Sequence, residues 1–153
     1  MKVFQDAHDQ AHALKCELAC EVLRLSGYVR LRVRGWSMLP TIWPGDTLEL
    51  EKAECGKLSA GDVVLFHRDR RLFVHRMLNS DGNTIFTQGD AMAQPDPVVT
   101  ERELLGRVTC IVRDGKRIQP TKTLSLSHRA VAAVARSSEF GARVIVGMRG
   151  LLQ

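Results

Sequence analysis

Tyr28-Val29-Arg30-Leu31-Arg32-Val33-Arg34 runs directly into Gly35-Trp36-Ser37-Met38-Leu39-Pro40-Thr41. In the first stretch Val29, Leu31 and Val33 alternate with four flanking polar or aromatic positions, the pattern of a half-exposed strand. The second stretch breaks that pattern with a glycine and a proline. A serine on a tight turn at a strand end exposes its hydroxyl, and its own backbone N–H can face a substrate carbonyl oxygen. A serine that merely caps a turn reads the same way. Ser37 therefore gains meaning only from its partners.

Further along, Thr47–Glu51, Asp62–His67, Leu72–Leu78, Thr84–Gln88 and Leu104–Arg113 are short and rich in Val, Leu, Ile or Phe. Turn signals separate them: Pro44-Gly45-Asp46, Ala60-Gly61-Asp62, Ser80-Asp81-Gly82-Asn83 and Asp114-Gly115. The pattern predicts a mainly β protein, a small antiparallel β-domain over residues 28–120. Residues 6–26 read as a helix, with Ala11, Leu14, Leu18, Val22 and Leu25 at three- and four-residue spacing and Gly27 as C-cap. Residues 1–27 thus form an N-terminal helical segment. Residues 121–153 form a C-terminal helical extension, helical from about 125 to 152, although Gly141, Gly147 and Gly150 weaken a helix there.

A chain of 153 residues, 44% hydrophobic and 25% charged, fits one globular domain. Its net charge of +5 reads equally as a solvated basic face or as contact with an anionic surface. One N-terminal helix falls short of a helix-turn-helix DNA reader, so no nucleic-acid partner is expected. Cys16, Cys20, Cys55 and Cys110 include no Cys-x-x-Cys pair and read as core residues, so neither metal nor cofactor is expected. Met1–His12 is polar and unlike a secretory signal, and no window approaches the ~18 apolar residues of a membrane span. The expected location is the cytoplasm or the membrane periphery.

A base for Ser37 is offered by His75 in Phe73-Val74-His75-Arg76-Met77. Neutral imidazole accepts a hydroxyl proton near neutral pH, since free histidine titrates at about 6.5. A histidine in an apolar strand is also a common packed residue. His67 is the rival base, but it precedes Arg68-Asp69-Arg70-Arg71, which reads as an exposed turn. Two carboxylates follow in Gly89-Asp90-Ala91-Met92-Ala93-Gln94-Pro95-Asp96, and either one beside the histidine would orient the ring and stabilise its cation.

Taken in order, Gly35-x-Ser37-Met38-x-Pro40-Thr41, Pro44-Gly45-Asp46-Thr47-Leu48, Gly61-Asp62-Val63-Val64-Leu65-Phe66, Val74-His75-Arg76, Gly89-Asp90 and Gly106-Arg107-Val108 resemble the catalytic domain of signal peptidases and of LexA-type self-cleaving repressors. The series covers residues 30–110, about half the chain. Bacterial signal peptidases and LexA-type repressors place a lysine where this chain has His75, and no lysine occurs between Lys57 and Lys116. The resemblance is closer to the archaeal and endoplasmic-reticulum branch, which uses a histidine followed by an arginine. It implies catalytic Ser37, His75 and Asp96, with Asp90 supporting the turn. It also implies an oxyanion and cleft segment of Gly35, Trp36, Met38 and Pro40. Signal peptidases commonly carry a hydroxyl residue two places before the nucleophile, where this chain has Gly35.

The implied function is a serine endopeptidase that cleaves a peptide or precursor bound as an extended strand. The alternative is a self-cleaving or catalytically inactive LexA-like binding module. At the C-terminus Arg129, Arg136, Arg143 and Arg149 recur at intervals of seven, seven and six, near one helical face. Two readings follow: a peripheral membrane helix, or a helix packed on the β-domain with its arginines in water.

Overall fold

The alternation at residues 28–34 becomes β1 (Tyr28–Arg32) in a computed structural model of the chain. The structure describes residues 2–137 and Gly147, with side chains described between residues 13 and 136 and at Gly147. The strands after β1 are β2 (Thr47–Lys52), β3 (Val63–Arg68), β4 (Arg71–Ser80), β5 (Thr84–Gln88), β6 (Val99–Thr100), β7 (Leu104–Arg113) and β8 (Lys116–Ile118). They form one antiparallel eight-stranded sheet in the order β1-β2-β7-β3-β4-β5-β6, with β8 pairing β7. The fold is mainly β, with helices α1 (Lys2–Ser26) and α2 (Leu126–Ser137) at its ends. Among the described residues, no helix is long and apolar enough to cross a membrane.

The turn residues account for the connections. Asp69 and Arg70, at φ 50° and 59°, join β3 to β4 in two residues. Asp114 and Gly115, at 51° and 75°, join β7 to β8 in the same way. Two consecutive left-handed residues match the right-handed twist of the flanking strands. At Gly61 (φ 91°) a Cβ would fall 2.4 Å from the carbonyl oxygen of Lys122, so only glycine fits there.

Strand alternation divides the core in two. Val63 and Leu65 of β3 join Leu23, Val29, Leu48, Leu50 and Val108 on one face. Val64 and Phe66 join Met77, Ile85, Val99 and Leu104 on the other. The described length of α1 begins earlier than the expected residue 6 and presents a different face from the expected one. Cys16, Ala19 and Leu23 are buried, whereas Leu14, Leu18 and Leu25 are 67%, 62% and 78% exposed. The small Cys16 and Ala19 side chains let the helix lie close to the sheet, and that proximity outweighs the larger leucine stripe. Burial raises the Cys16 thiol to about 11 and the Cys55 thiol to about 12. Gly27 closes α1 at φ 73°, its N–H reaching Leu23 O at 3.0 Å. Of the C-terminal helical expectation, residues 126–137 are α2, and Arg143 and Arg149 lie outside the described residues.

Candidate active site

Ser37 sits in the turn between β1 and β2. That turn winds helically, with Leu39 N–H bonded to Trp36 O at 3.1 Å and Ile42 N–H to Met38 O at 2.9 Å. Its apolar side chains anchor it on two sides. Met38 and Ile42 enter the main core, while Leu39 packs with Ala91 of the 89–92 loop and Ala135 of α2. This leaves Ser37 half-buried, with its carbonyl accepting the Ala91 N–H at 2.8 Å.

His75 lies on β4 opposite Val64 and is buried at 4% exposure. Phe66 and Phe73 flank its ring at centroid distances of 5.9 and 6.1 Å. Nε2 is 3.0 Å from Ser37 Oγ and Nδ1 is 2.7 Å from Asp96 Oδ2. Asp96 also accepts the Thr87 hydroxyl at 2.7 Å and donates its N–H to Thr87 O at 2.8 Å. An ionised carboxylate only accepts, so the proton of neutral His75 resides on Nδ1. Nε2 then offers its lone pair to the Ser37 hydroxyl. His67 pairs with Leu72 one residue beyond Phe66, so alternation turns it to the opposite face of β3 from the His75 neighbours.

Asp90 turns away from the histidine. Its carboxylate takes Arg76 Nε at 2.7 Å and Nη2 at 2.8 Å, together with the Thr41 hydroxyl. Arg76 Nη1 donates to the carbonyls of Gly61 and Thr121, and Nη2 also reaches Thr41 Oγ1 at 3.2 Å. One guanidinium thus joins the serine turn, the Gly61 turn, the Asp90 loop and residue 121. Arg113 fixes the far end of the serine turn through Asp46 at 2.6 Å and Thr41 O at 2.9 Å.

The expected cleft segment is placed unevenly. Gly35 is exposed, with open space where a Cβ would be. Trp36 is half-buried and packs on the Leu39, Ala91 and Ala135 cluster. Met38, at 3% exposure, packs its side chain into the main core. Pro40 is likewise buried, and its carbonyl accepts the Trp43 indole N–H at 2.7 Å. Sequence reasoning missed Thr87 and the full reach of Arg76. The Arg76 partners lie 14 to 45 positions away, and Thr87 meets Asp96 nine positions on across an irregular loop, so neither leaves a periodic signal.

The chain matches the Peptidase S24-like family over residues 3–109, more than half of its length. It belongs to that family. No curated protein matches it. The S24-like match takes in Ser37, His75, Asp90 and Asp96 and ends before α2.

Within this S24-like domain, Gly89 is where serine, histidine and loop crowd together. A Cβ there would stand 2.6 Å from both Ser37 O and Met92 Cγ, and 3.1 Å from His75 Nε2. Met92 can swing aside, but the serine carbonyl is backbone. Gly89→Ala is expected to cost about 1–3 kcal/mol of stability through overpacking. It should also lengthen the Ser37–His75 contact. Thermal unfolding and serine-directed labelling of the variant check both effects.

A second clip steadies the segment that follows Asp96. Arg68 donates to Glu103 at 2.6 Å and to the carbonyls of Pro97 and Val98 at 3.1 and 2.8 Å. The Arg68 guanidinium holds the Glu103 carboxyl at about 2, helped by the Thr100 N–H and hydroxyl. A carboxyl lowered by folding stabilises the fold above its ordinary value near 4.5 and loses that effect as pH falls towards about 2. Denaturant midpoints of wild type and Glu103→Gln should therefore differ at pH 6 and converge between pH 4.5 and 2.

Proposed function

We propose that the chain is a serine endopeptidase of the signal-peptidase type, closest to the branch with a histidine base. The observation that carries this reading is the continuous path from Ser37 Oγ through His75, at 3.0 and 2.7 Å, to Asp96 Oδ2. Such an arrangement is recognised by geometry and roles, on whatever fold carries it.

In this mechanism Ser37 Oγ attacks the scissile carbonyl while His75 Nε2 takes its proton. The new imidazolium is stabilised by Asp96, which Thr87 holds in place. The Ser37 backbone N–H faces the developing oxyanion. His75 then returns the proton to the leaving amine, and an acyl-enzyme remains on Ser37. Water, deprotonated by the same nitrogen, hydrolyses that ester and frees the serine. The substrate is a peptide or precursor taken as an extended strand, through backbone hydrogen bonds and small side chains near the cut.

A fluorophosphonate probe tests the reading without a known substrate. The folded wild-type chain should be labelled at Ser37, located by mass spectrometry, and Ser37→Ala should take no label. Absence of labelling in the folded wild type overturns the proposal and leaves a binding module on the same fold.

A further inference from the structure

Behind the Asp90 loop lies a cavity of about 550 Å³. Arg76, Lys122, Thr123, Arg129 and Arg136 all border it. The spacing of seven that sets Arg129 and Arg136 on one face of α2 turns both towards this space.

Among the described residues, carboxylates match only half of that positive charge. Arg76 is paired with Asp90, and Lys122 lies 3.3 Å from Asp62. Arg136 donates Nε and Nη2 to the Asp90 carbonyl at 3.1 and 2.8 Å, an acceptor without formal charge. Among the described residues, no carboxylate forms an ion pair with Arg129 or Arg136. Among the described residues, four cations facing one space against two carboxylates leave an excess of two positive charges. The volume falls within the roughly 300–1,000 Å³ of ordinary ligand pockets. Guanidinium groups present paired donors that match phosphate oxygens, and a lysine adds a point charge.

We propose that this cavity is a binding site for a phosphate group. The anion is held by Arg129, Arg136 and Lys122, with Thr123 beside them. The site is separate from the Ser37–His75–Asp96 path and stands whether or not Ser37 is a nucleophile. It nonetheless touches the same loop. Asp90 is gripped from the cavity side through its carbonyl by Arg136, and through its carboxylate by Arg76. Its neighbours Gly89 and Ala91 abut Ser37 and His75 on the other side. The phosphate belongs either to a soluble phosphoester or to an anionic lipid headgroup at a membrane surface.

The test uses the full chain and two probes. Inorganic phosphate is titrated by calorimetry at constant ionic strength. Vesicles of phosphatidylcholine with and without phosphatidic acid are tested by co-sedimentation. Saturable phosphate binding is expected, weakened at least about tenfold in Arg129→Gln and further in Arg129→Gln/Lys122→Gln, since charged hydrogen bonds are lost. Both side chains are exposed, so both variants should fold, as circular dichroism checks. Phosphatidic acid vesicles that pull down the wild type, competed by phosphate, assign the source to a headgroup. Phosphate binding without vesicle binding assigns it to a soluble phosphoester. Absence of binding to either probe, or binding unchanged in the double variant, overturns the proposal.

Discussion

Ser37→Ala and His75→Ala are each expected to slow peptide cleavage by about a thousandfold or more, and His75→Ala to slow fluorophosphonate labelling as much, while Ser37→Ala takes no label. Members of such a set act as a unit, so the double variant should be little worse than either single one. Asp96→Asn should fall in the same range, about a thousand- to ten-thousand-fold. It takes away the charge behind the imidazolium and inverts the hydrogen bond that keeps the His75 proton on Nδ1. The fold should survive, because an asparagine keeps the shape and the Thr87 hydroxyl can turn to accept from the new amide N–H that replaces Oδ2. Thr87→Val tests the support directly by removing the hydroxyl that donates to Asp96 at 2.7 Å. His67→Ala should leave the labelling rate near wild type, since it lies on the other side of β3. Near-normal labelling of His75→Ala would sink the base assignment.

The largest effect on stability is expected from Arg76→Met. The substitution strands Asp90, which is 4% exposed, and removes donors from two carbonyls and from Thr41. A buried charge left without its partner costs about 3–5 kcal/mol. Arg76→Lys should recover only part of this, because an ammonium cannot span both Asp90 oxygens in a fixed plane. In Arg76→Met/Asp90→Asn the stranded charge is gone, so the loss should be smaller than the sum of the two single losses. Urea unfolding of the four proteins measures each term. Strictly additive losses would mean that the pair does not couple.

The strands and their turns were legible because they rest on local signals. Alternation marks β1, and the Asp114-Gly115 pair marks the hairpin between β7 and β8. The two-residue β6 and three-residue β8 were not read as strands, since each is too short to show a period. The buried face of α1 was misread because periodicity finds stripes but does not say which stripe meets the sheet. In the site, spacing alone left Asp90 and Asp96 as equals beside a histidine. They part in space because Arg76 claims one, while Thr87 and His75 hold the other. That division depends on the packing of β4 against β5 and the loop beyond it, which no short window contains.

The Ser37–His75 and His75–Asp96 contacts join residues 38 and 21 positions apart in the chain. Chemical competence is therefore a property of the assembled sheet and of no shorter fragment. During synthesis the serine turn emerges long before Asp96 and the β7 strand that completes the sheet, so the nascent chain carries a hydroxyl with no base. A ribosome-bound chain ending near residue 90 should be inert towards the probe, although it already contains both Ser37 and His75. In denaturant, loss of labelling should coincide with loss of the sheet's circular dichroism signal, which makes Ser37 a reporter of global folding.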